Sequence, residues 1–273
     1  MKIVLTGSSS GIGKKLVVHL CAEGHTVVGL ARSPQTKIKD GGEFLPMACD
    51  VSDWGQTSDC AEAVLASHGS IDALICCAGT QSPIGAAMSA DPKKWAENIQ
   101  TNLGGTFNSI RAFYSVLAGC PRRQKIICFS GGGATGPRAN FSAYACAKSA
   151  IVRLVETLDE EWAGGNIDIN AVAPGAIATA MTEEVRALGP EITGLKEFSA
   201  AQKLSETGEQ NLVGVTGLID YLLSPMSDGI SGRLISARWD PWGNLHEHRS
   251  ELAGSDIYRL RRIVPEDRNL KWA

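Results

Sequence analysis

The sequence predicts a doubly wound α/β fold: a parallel sheet covered by helices on both faces, in three layers αβα. Three observations predict it. Short runs rich in apolar and β-branched residues alternate along the chain with longer helical patterns. These runs are continuously apolar rather than alternating, which marks strands buried on both faces. The first run also leads straight into a glycine-rich turn that opens a helix, and such a fold binds its ligand at the carboxyl ends of its strands.

In chain order the strand runs are KIVLT, TVVGLA, EFLPMACD, DALICCAG, KIICFSG and IDINAVAPG, with a seventh, GRLISA, near the end. Helical patterns fall at Lys15–Glu23, Ser58–His68, Trp95–Leu117 and Ala143–Trp162. Residues 238–273 extend past the last strand, and Trp239, Trp242, Ile257, Tyr258 and Leu260 give that tail apolar groups to bury. Within it SDIYRLRRI reads as a short helix with Ser255 as N-cap. Residues 1–237 are expected to form one catalytic domain with the tail packed on it.

The 273 residues are 44% hydrophobic, enough for one large core. With 26 basic and 29 acidic residues the net charge is −3, without the basic footprint of a nucleic-acid binder. No apolar run reaches membrane-spanning length. The eight cysteines include no C-x-x-C pair, and His246 and His248 stand in a polar turn, so no metal site is expected. A strand at the very start and scattered thiols in apolar runs predict a cytoplasmic protein with reduced cysteines.

The chemistry concentrates in a few motifs. In TGSSSGIG the glycines at 7, 11 and 13 let the backbone turn sharply and approach a pyrophosphate at a helix N-terminus. Tyr144 and Lys148, four apart on a helix, share one face about 6 Å apart. An ammonium beside a phenol favours the phenolate and would lower its pKa, ordinarily about 10, by roughly 1–3. The second strand ends in Ala31 and Arg32 where an acidic residue would bind a ribose 2′-hydroxyl. A guanidinium there matches a 2′-phosphate, with Ser9, Ser10 and Ser33 able to add hydroxyls, which favours NADP(H) over NAD(H).

The set Gly7, Gly11 and Gly13, Asp50-Val51, Cys77-Ala78-Gly79, Asn102, Tyr144-x-x-x-Lys148 and Pro174-Gly175 resembles the short-chain dehydrogenases/reductases in order and spacing, over residues 1 to about 237. The resemblance implies a Rossmann-like sheet of seven parallel strands and hydride transfer between a nicotinamide cofactor and a carbonyl or alcohol. It implies Tyr144 as general acid/base, Lys148 on the ribose hydroxyls and Asn102 on a relay water. It adds Ile12, Asp50, Val51, Cys77, Ala78, Gly79, Pro174, Gly175, Ile177 and Thr179 to the cofactor's surroundings. Residues 180–212 become the variable substrate region, in which Arg186, Lys196 and Lys203, together with Arg138, would meet an anionic substrate. The helices 95–117 and 143–162 would pair subunits into a homodimer or homotetramer.

Two departures stand out. Thirteen residues before Tyr144, where the family carries a serine that holds the carbonyl, stands Gly131. Either the glycine turn bulges so that Ser130 serves, or the hydroxyl is lost, with Ser142 a weaker substitute. And Cys77 replaces an asparagine that ties the central strands together. Cysteine bonds weakly, so the tie is expected to loosen while packing holds. The stretches SGGGAT and GRLISARWDPW resemble family members of surface-polysaccharide gene clusters, which implies a nucleotide-linked sugar or polyol as substrate. A 3-oxoacyl or generic ketone reductase is the alternative within enzymes, and a dinucleotide-binding regulator with little turnover the alternative outside them.

Overall fold

The computed structural model describes residues 1–36, 39–118, 120, 122–207 and 212–272. Its strands are β1 Lys2–Thr6, β2 Thr26–Ala31, β3 Lys39–Asp40, β4 Gly42–Ala48, β5 Ala73–Cys76, β6 Gln124–Phe129, β7 Ile167–Ala173 and β8 Arg233–Ser236. They form one sheet in the order β3-β4-β2-β1-β5-β6-β7-β8. Seven strands are parallel, and the two-residue β3 pairs antiparallel with β4 at the edge. The chain winds outward from β1 in one direction and from β5 in the other. The switch between them opens the crevice where such sheets bind ligands.

Helices α1 (Gly11–Ala22) and α9 (Leu212–Leu223) cover one face. Helices α2 (Trp54–His68), α4 (Gly105–Ala118) and α5 (Ser142–Glu161) cover the other. Between them lie the short α3 (Pro92–Ile99) and, after β7, α6 (Ala180–Leu188), α7 (Pro190–Thr193) and α8 (Leu195–Thr207). Helix starts follow local chemistry. Asp53 accepts the Gln56 N–H ahead of α2, and Asp91 accepts the N–H groups of Lys93 and Lys94 ahead of α3, satisfying donors that a helix start leaves open. The expected helix from Trp95 to Leu117 is two helices joined by a π-turn at Gln100–Gly104. Of the variable region expected at 180–212, residues 208–211 lie outside the described residues.

The tail departs from expectation. Residues 255–263 form no helix; the helical turn there is α10, Arg249–Ala253, just before them. The reason is competition for backbone groups. Arg233, only 2% exposed, donates from Nη1 to the carbonyls of Ser255 and Ile257 and from Nη2 to that of Leu252. The Leu234 N–H takes the Tyr258 carbonyl, and the Leu260 N–H goes to Glu156. Tyr258 has φ +62, a left-handed residue that cannot continue a helix. With its polar groups claimed by β8 and α5, the segment runs along them through a turn at 257–259. Trp242 fills the space over Gly217, where a Cβ would stand 2.9 Å from the indole, and Leu245 and Leu252 join the core under α9.

Candidate active site

The crevice at the β1/β5 switch is built by close backbone approach. A Cβ on Gly7 (φ +75) would lie 2.7 Å from the Ala78 backbone, and one on Gly13 would lie 2.2 Å from the Gly7 carbonyl oxygen. Only glycine lets the start of α1 sit on the turn and the turn sit on the end of β5. Thr6, buried, accepts the N–H groups of both Cys77 and Ala78 at 3.1 Å. This hydroxyl provides a strand tie that Cys77 cannot. The Cys77 thiol is pushed up to about 12, mainly by burial, so it is no nucleophile near neutral pH.

Two cavities of about 140 Å³ each meet along this crevice, sharing Gly7, Ser10 and Gly79. The outer one carries Ser9, Ala31, Arg32 and Ser33 at the end of β2, with Asp50, Val51, Ala78 and Thr101 opposite. The Arg32 guanidinium is largely exposed and stands 4.0 Å from the Asp50 carboxylate at its mouth. The inner one carries Gly11, Ile12, Gly13 and Cys77 on one side, Tyr144 and Lys148 on the other, and Pro174, Thr179 and Met181 over the top. Two expected cofactor residues lie elsewhere. Ile177 is buried in the core, and Gly175 lines a neighbouring cavity.

Lys148 is 4% exposed, and its Nζ donates to the Phe129 carbonyl at 2.8 Å while standing 5.4 Å from the Tyr144 ring centre. Burial pushes the ammonium down to about 8. The Tyr144 phenol is raised above 10, chiefly by burial, with Arg138 as the cation that opposes this. The expected lowering by Lys148 is thus not what this arrangement produces: desolvation outweighs it. Asn102 sits on the π-turn, wholly buried. Its Nδ2 donates to the carbonyls of Thr80 and Asn98 and to Asn98 Oδ1, while its Oδ1 has no partner among the described residues. A Cβ on Gly79 would touch both Asn102 Oδ1, at 2.6 Å, and Lys148 Nζ, at 3.5 Å, so these two groups face one small space.

The serine question has a geometric answer at Gly131: a Cβ there would lie 3.3 Å from the Tyr144 hydroxyl. That position faces the tyrosine and carries no side chain. Ser130 lines the inner cavity but donates its single hydroxyl proton to the Lys148 carbonyl at 3.0 Å. In this geometry it has no proton left for a substrate carbonyl. Ser142 accepts the Trp95 indole N–H. Of the expected substrate cations, Arg138 pairs with Glu197 of α8 at 2.8 Å and stacks 3.8 Å over the Phe141 ring centre, while Arg186 pairs with Glu183 on the surface of α6. Lys196 is exposed.

Sequence reasoning missed Thr6, Thr101, Phe129 and Met181. For Thr101 the available signal was its place next to Asn102 in the chain. Phe129 acts through its carbonyl and Met181 through shape, so neither leaves a signal in residue type. Among the described residues no cluster of potential metal ligands occurs, and no helix is long and apolar enough to cross a membrane.

A nicotinamide dinucleotide fits this crevice. The side-chain-free turn leaves backbone open along it, since a Cβ on Gly11 would meet only the Thr179 side chain, at 3.7 Å. The orphaned Asn102 oxygen also calls for a polar partner at the inner end.

Residues 1–188 match the family model described as short chain dehydrogenase. The chain is 31% identical over 190 residues to a 3-oxoacyl-acyl-carrier-protein reductase of Thermotoga maritima, covering 67% of this chain and 76% of the relative. It is 28% identical over 243 residues to a short-chain reductase of Streptomyces niveus, covering 85% and 90%. Among solved structures it is similar to the aldohexose dehydrogenase of Thermoplasma acidophilum, with TM-score 0.75 and 23% identity over 86% of this chain and 91% of the other.

Proposed function

The chain belongs to the short-chain dehydrogenase family, and on that premise we propose that it is an NADP(H)-dependent reductase or dehydrogenase with Tyr144 as its proton-transfer group. As a family member it is an oxidoreductase acting between alcohol and carbonyl with a nicotinamide cofactor. The single observation that carries the assignment of residues is the convergence of Tyr144, Lys148 and the unpartnered Asn102 oxygen at the inner end of the crevice. When bound, the nicotinamide supplies or takes up the hydride at the carbonyl carbon. Tyr144 gives the proton to the substrate oxygen or removes it. Lys148 offers its ammonium to the phenolate that results and to the ribose hydroxyls. Asn102 Oδ1 accepts from a water that relays the proton. Ser130 holds the Lys148 carbonyl and so positions this turn of α5. With position 131 bare, backbone N–H groups or water hold the substrate oxygen.

Arg32 supports the choice of NADP(H), because it is the cation at the outer cavity where a 2′-phosphate would lie. Arg32→Asp replaces a guanidinium by a carboxylate and is expected to reverse the preference between NADPH and NADH. Titration by nicotinamide fluorescence reads it, and an unchanged NADPH affinity rejects the 2′-phosphate assignment.

For the substrate we propose a carbonyl on a nucleotide-linked sugar or polyol, on the resemblance of SGGGAT and GRLISARWDPW. The 31% identical relative keeps a 3-oxoacyl compound as the second reading. Turnover on a panel of keto-sugars and 3-oxoacyl thioesters decides between them, and none on either refutes both. We also propose a homodimer or homotetramer formed through α4 and α5, where Phe107 is 47% exposed. Light scattering is expected to show it, and a monomer at micromolar concentration contradicts it. The eight thiols, six of them buried, accord with a cytoplasmic location.

A further inference from the structure

A second cavity, of about 440 Å³, opens between the glycine turn and the C-terminal tail. That volume is within the range of small-ligand sites. One wall is Gly131, Gly132 and Gly133; the other is Trp239, Asp240 and Tyr258. At Gly131 the wall is one residue thick, since the space its missing side chain would fill lies 3.3 Å from the Tyr144 hydroxyl. The cavity is therefore next door to the proposed proton donor.

Its chemistry narrows the occupant. Trp239 is 74% exposed, with the Arg238 guanidinium 4.6 Å from its ring centre. An indole left this open at a cavity edge is a platform for a flat ligand face. Asp240 accepts the Ser236 N–H at 2.7 Å through Oδ2, and burial raises its carboxyl above the usual range, so it gains from a further donor. Thr135 and Ser236 add hydroxyls. The one cation in the lining, Arg259, is committed through its two Nη atoms to Glu160 and Asp159, each at 2.7 Å. A phosphate would face the Asp240 carboxylate with Arg259 already paired, and Arg238, stacked on Trp239, is not among the residues that line the cavity. A purely apolar chain would bury that carboxylate without a hydrogen bond. A neutral ring with hydroxyl donors on its rim and C–H groups on its face satisfies every group present.

We propose that this cavity binds a pyranose ring, stacked on Trp239 and donating hydroxyls to Asp240. The ring is either the sugar of the substrate itself or a separate sugar beside it. Only the first of these sources rests on the reading of Tyr144 as the reacting group.

The test is saturation-transfer NMR on the full chain with NADPH, using the methyl glycosides of glucose, mannose and N-acetylglucosamine as probes. Transfer to ring protons of at least one is expected. Trp239→Ala and Asp240→Asn, both at positions that leave the core untouched, are expected to weaken it roughly tenfold or more, as for loss of a hydrogen bond to a charged group. Thermal melts confirm that both variants fold. Tyr144→Phe is expected to keep the transfer, which separates failure of this site from failure of the catalytic reading. No transfer from any of the three sugars, transfer unchanged in both tail variants, or displacement by inorganic phosphate overturns the proposal. A bound glycoside that raises the KM for ketone reduction identifies the ring as part of the substrate, and one that leaves it unchanged identifies a separate ligand. Either result upholds the ring site.

Discussion

Replacing Tyr144 by phenylalanine is expected to leave cofactor binding intact and to cut turnover by roughly 10²–10⁴, the range for a lost general acid or base. The residue is suited to so clean an experiment. It sits in the first turn of α5, with Phe141 and Arg138 around its ring, and among the described residues its hydroxyl makes no hydrogen bond. Burial raises its pKa, so near neutral pH it rests as the phenol, the form that donates in the reducing direction. Steady-state kinetics with the best ketone from a panel reads the rate, and fluorescence titration reads cofactor affinity. Near-full rates in the variant reject Tyr144 as proton donor. Ser130→Ala belongs in the same experiment. With its only hydroxyl proton on the Lys148 carbonyl, its loss is expected to cost less than about tenfold in turnover. A loss of 10²–10³, the size of a missing oxyanion donor, restores Ser130 as the carbonyl clamp.

Periodicity and glycine spacing carried most of the fold, and the reasons are local. Most strand runs end at or beside Gly, Asp or Ser, and the core faces of α1, α4 and α5 repeat every three to four residues, so element type was readable without tertiary knowledge. The tail was not. SDIYRLRRI has good helix propensity, but Arg233, 22 and 24 residues before the carbonyls it binds, and Glu156, 104 residues before the N–H it accepts, claim its backbone groups. The π-turn at Asn102 was hidden for another reason: Thr, Asn and Gly weaken the helix at QTNLG without saying how it yields, and the widened turn shows only in backbone geometry. At the site, residue types and spacing pointed to Tyr144, Lys148 and Arg32, and the family resemblance to Asn102. They did not give the sign of the Tyr144 shift, because spacing reports the neighbouring charge and not how deeply both groups are buried. Nor did they distinguish Ser130 from Gly131, since which of two adjacent residues faces a helix depends on the turn that bare glycines allow.

Lys148→Met is expected to abolish most turnover and at the same time to stabilise the folded protein. Lys148 is 4% exposed; its ammonium donates to the Phe129 carbonyl and, among the described residues, pairs with no carboxylate. Its pKa falls from 10.5 to about 8, mainly through burial. Below about pH 8 the charged form is therefore buried at a cost on the order of 3 kcal/mol. Methionine keeps the unbranched shape without the charge, and the lost bond to Phe129 subtracts about 1 kcal/mol. The pH dependence gives the sign. A lysine whose folded pKa is depressed leaves the unfolded chain binding more protons between about 8 and 10.5, so wild-type stability rises through that window. The penalty is full below it and gone above it. The variant's advantage in melting temperature is thus expected to be several degrees at about pH 7 and to shrink by about pH 9.5. Calorimetry of both proteins at the two pH values reads it. A variant no more stable than wild type at about pH 7, or an advantage that does not narrow as pH rises, shows that Lys148 is not held at a cost. A buried, uncompensated ammonium next to a buried phenol is the arrangement expected of a functional group rather than a stabilising one, in keeping with the role proposed for Lys148.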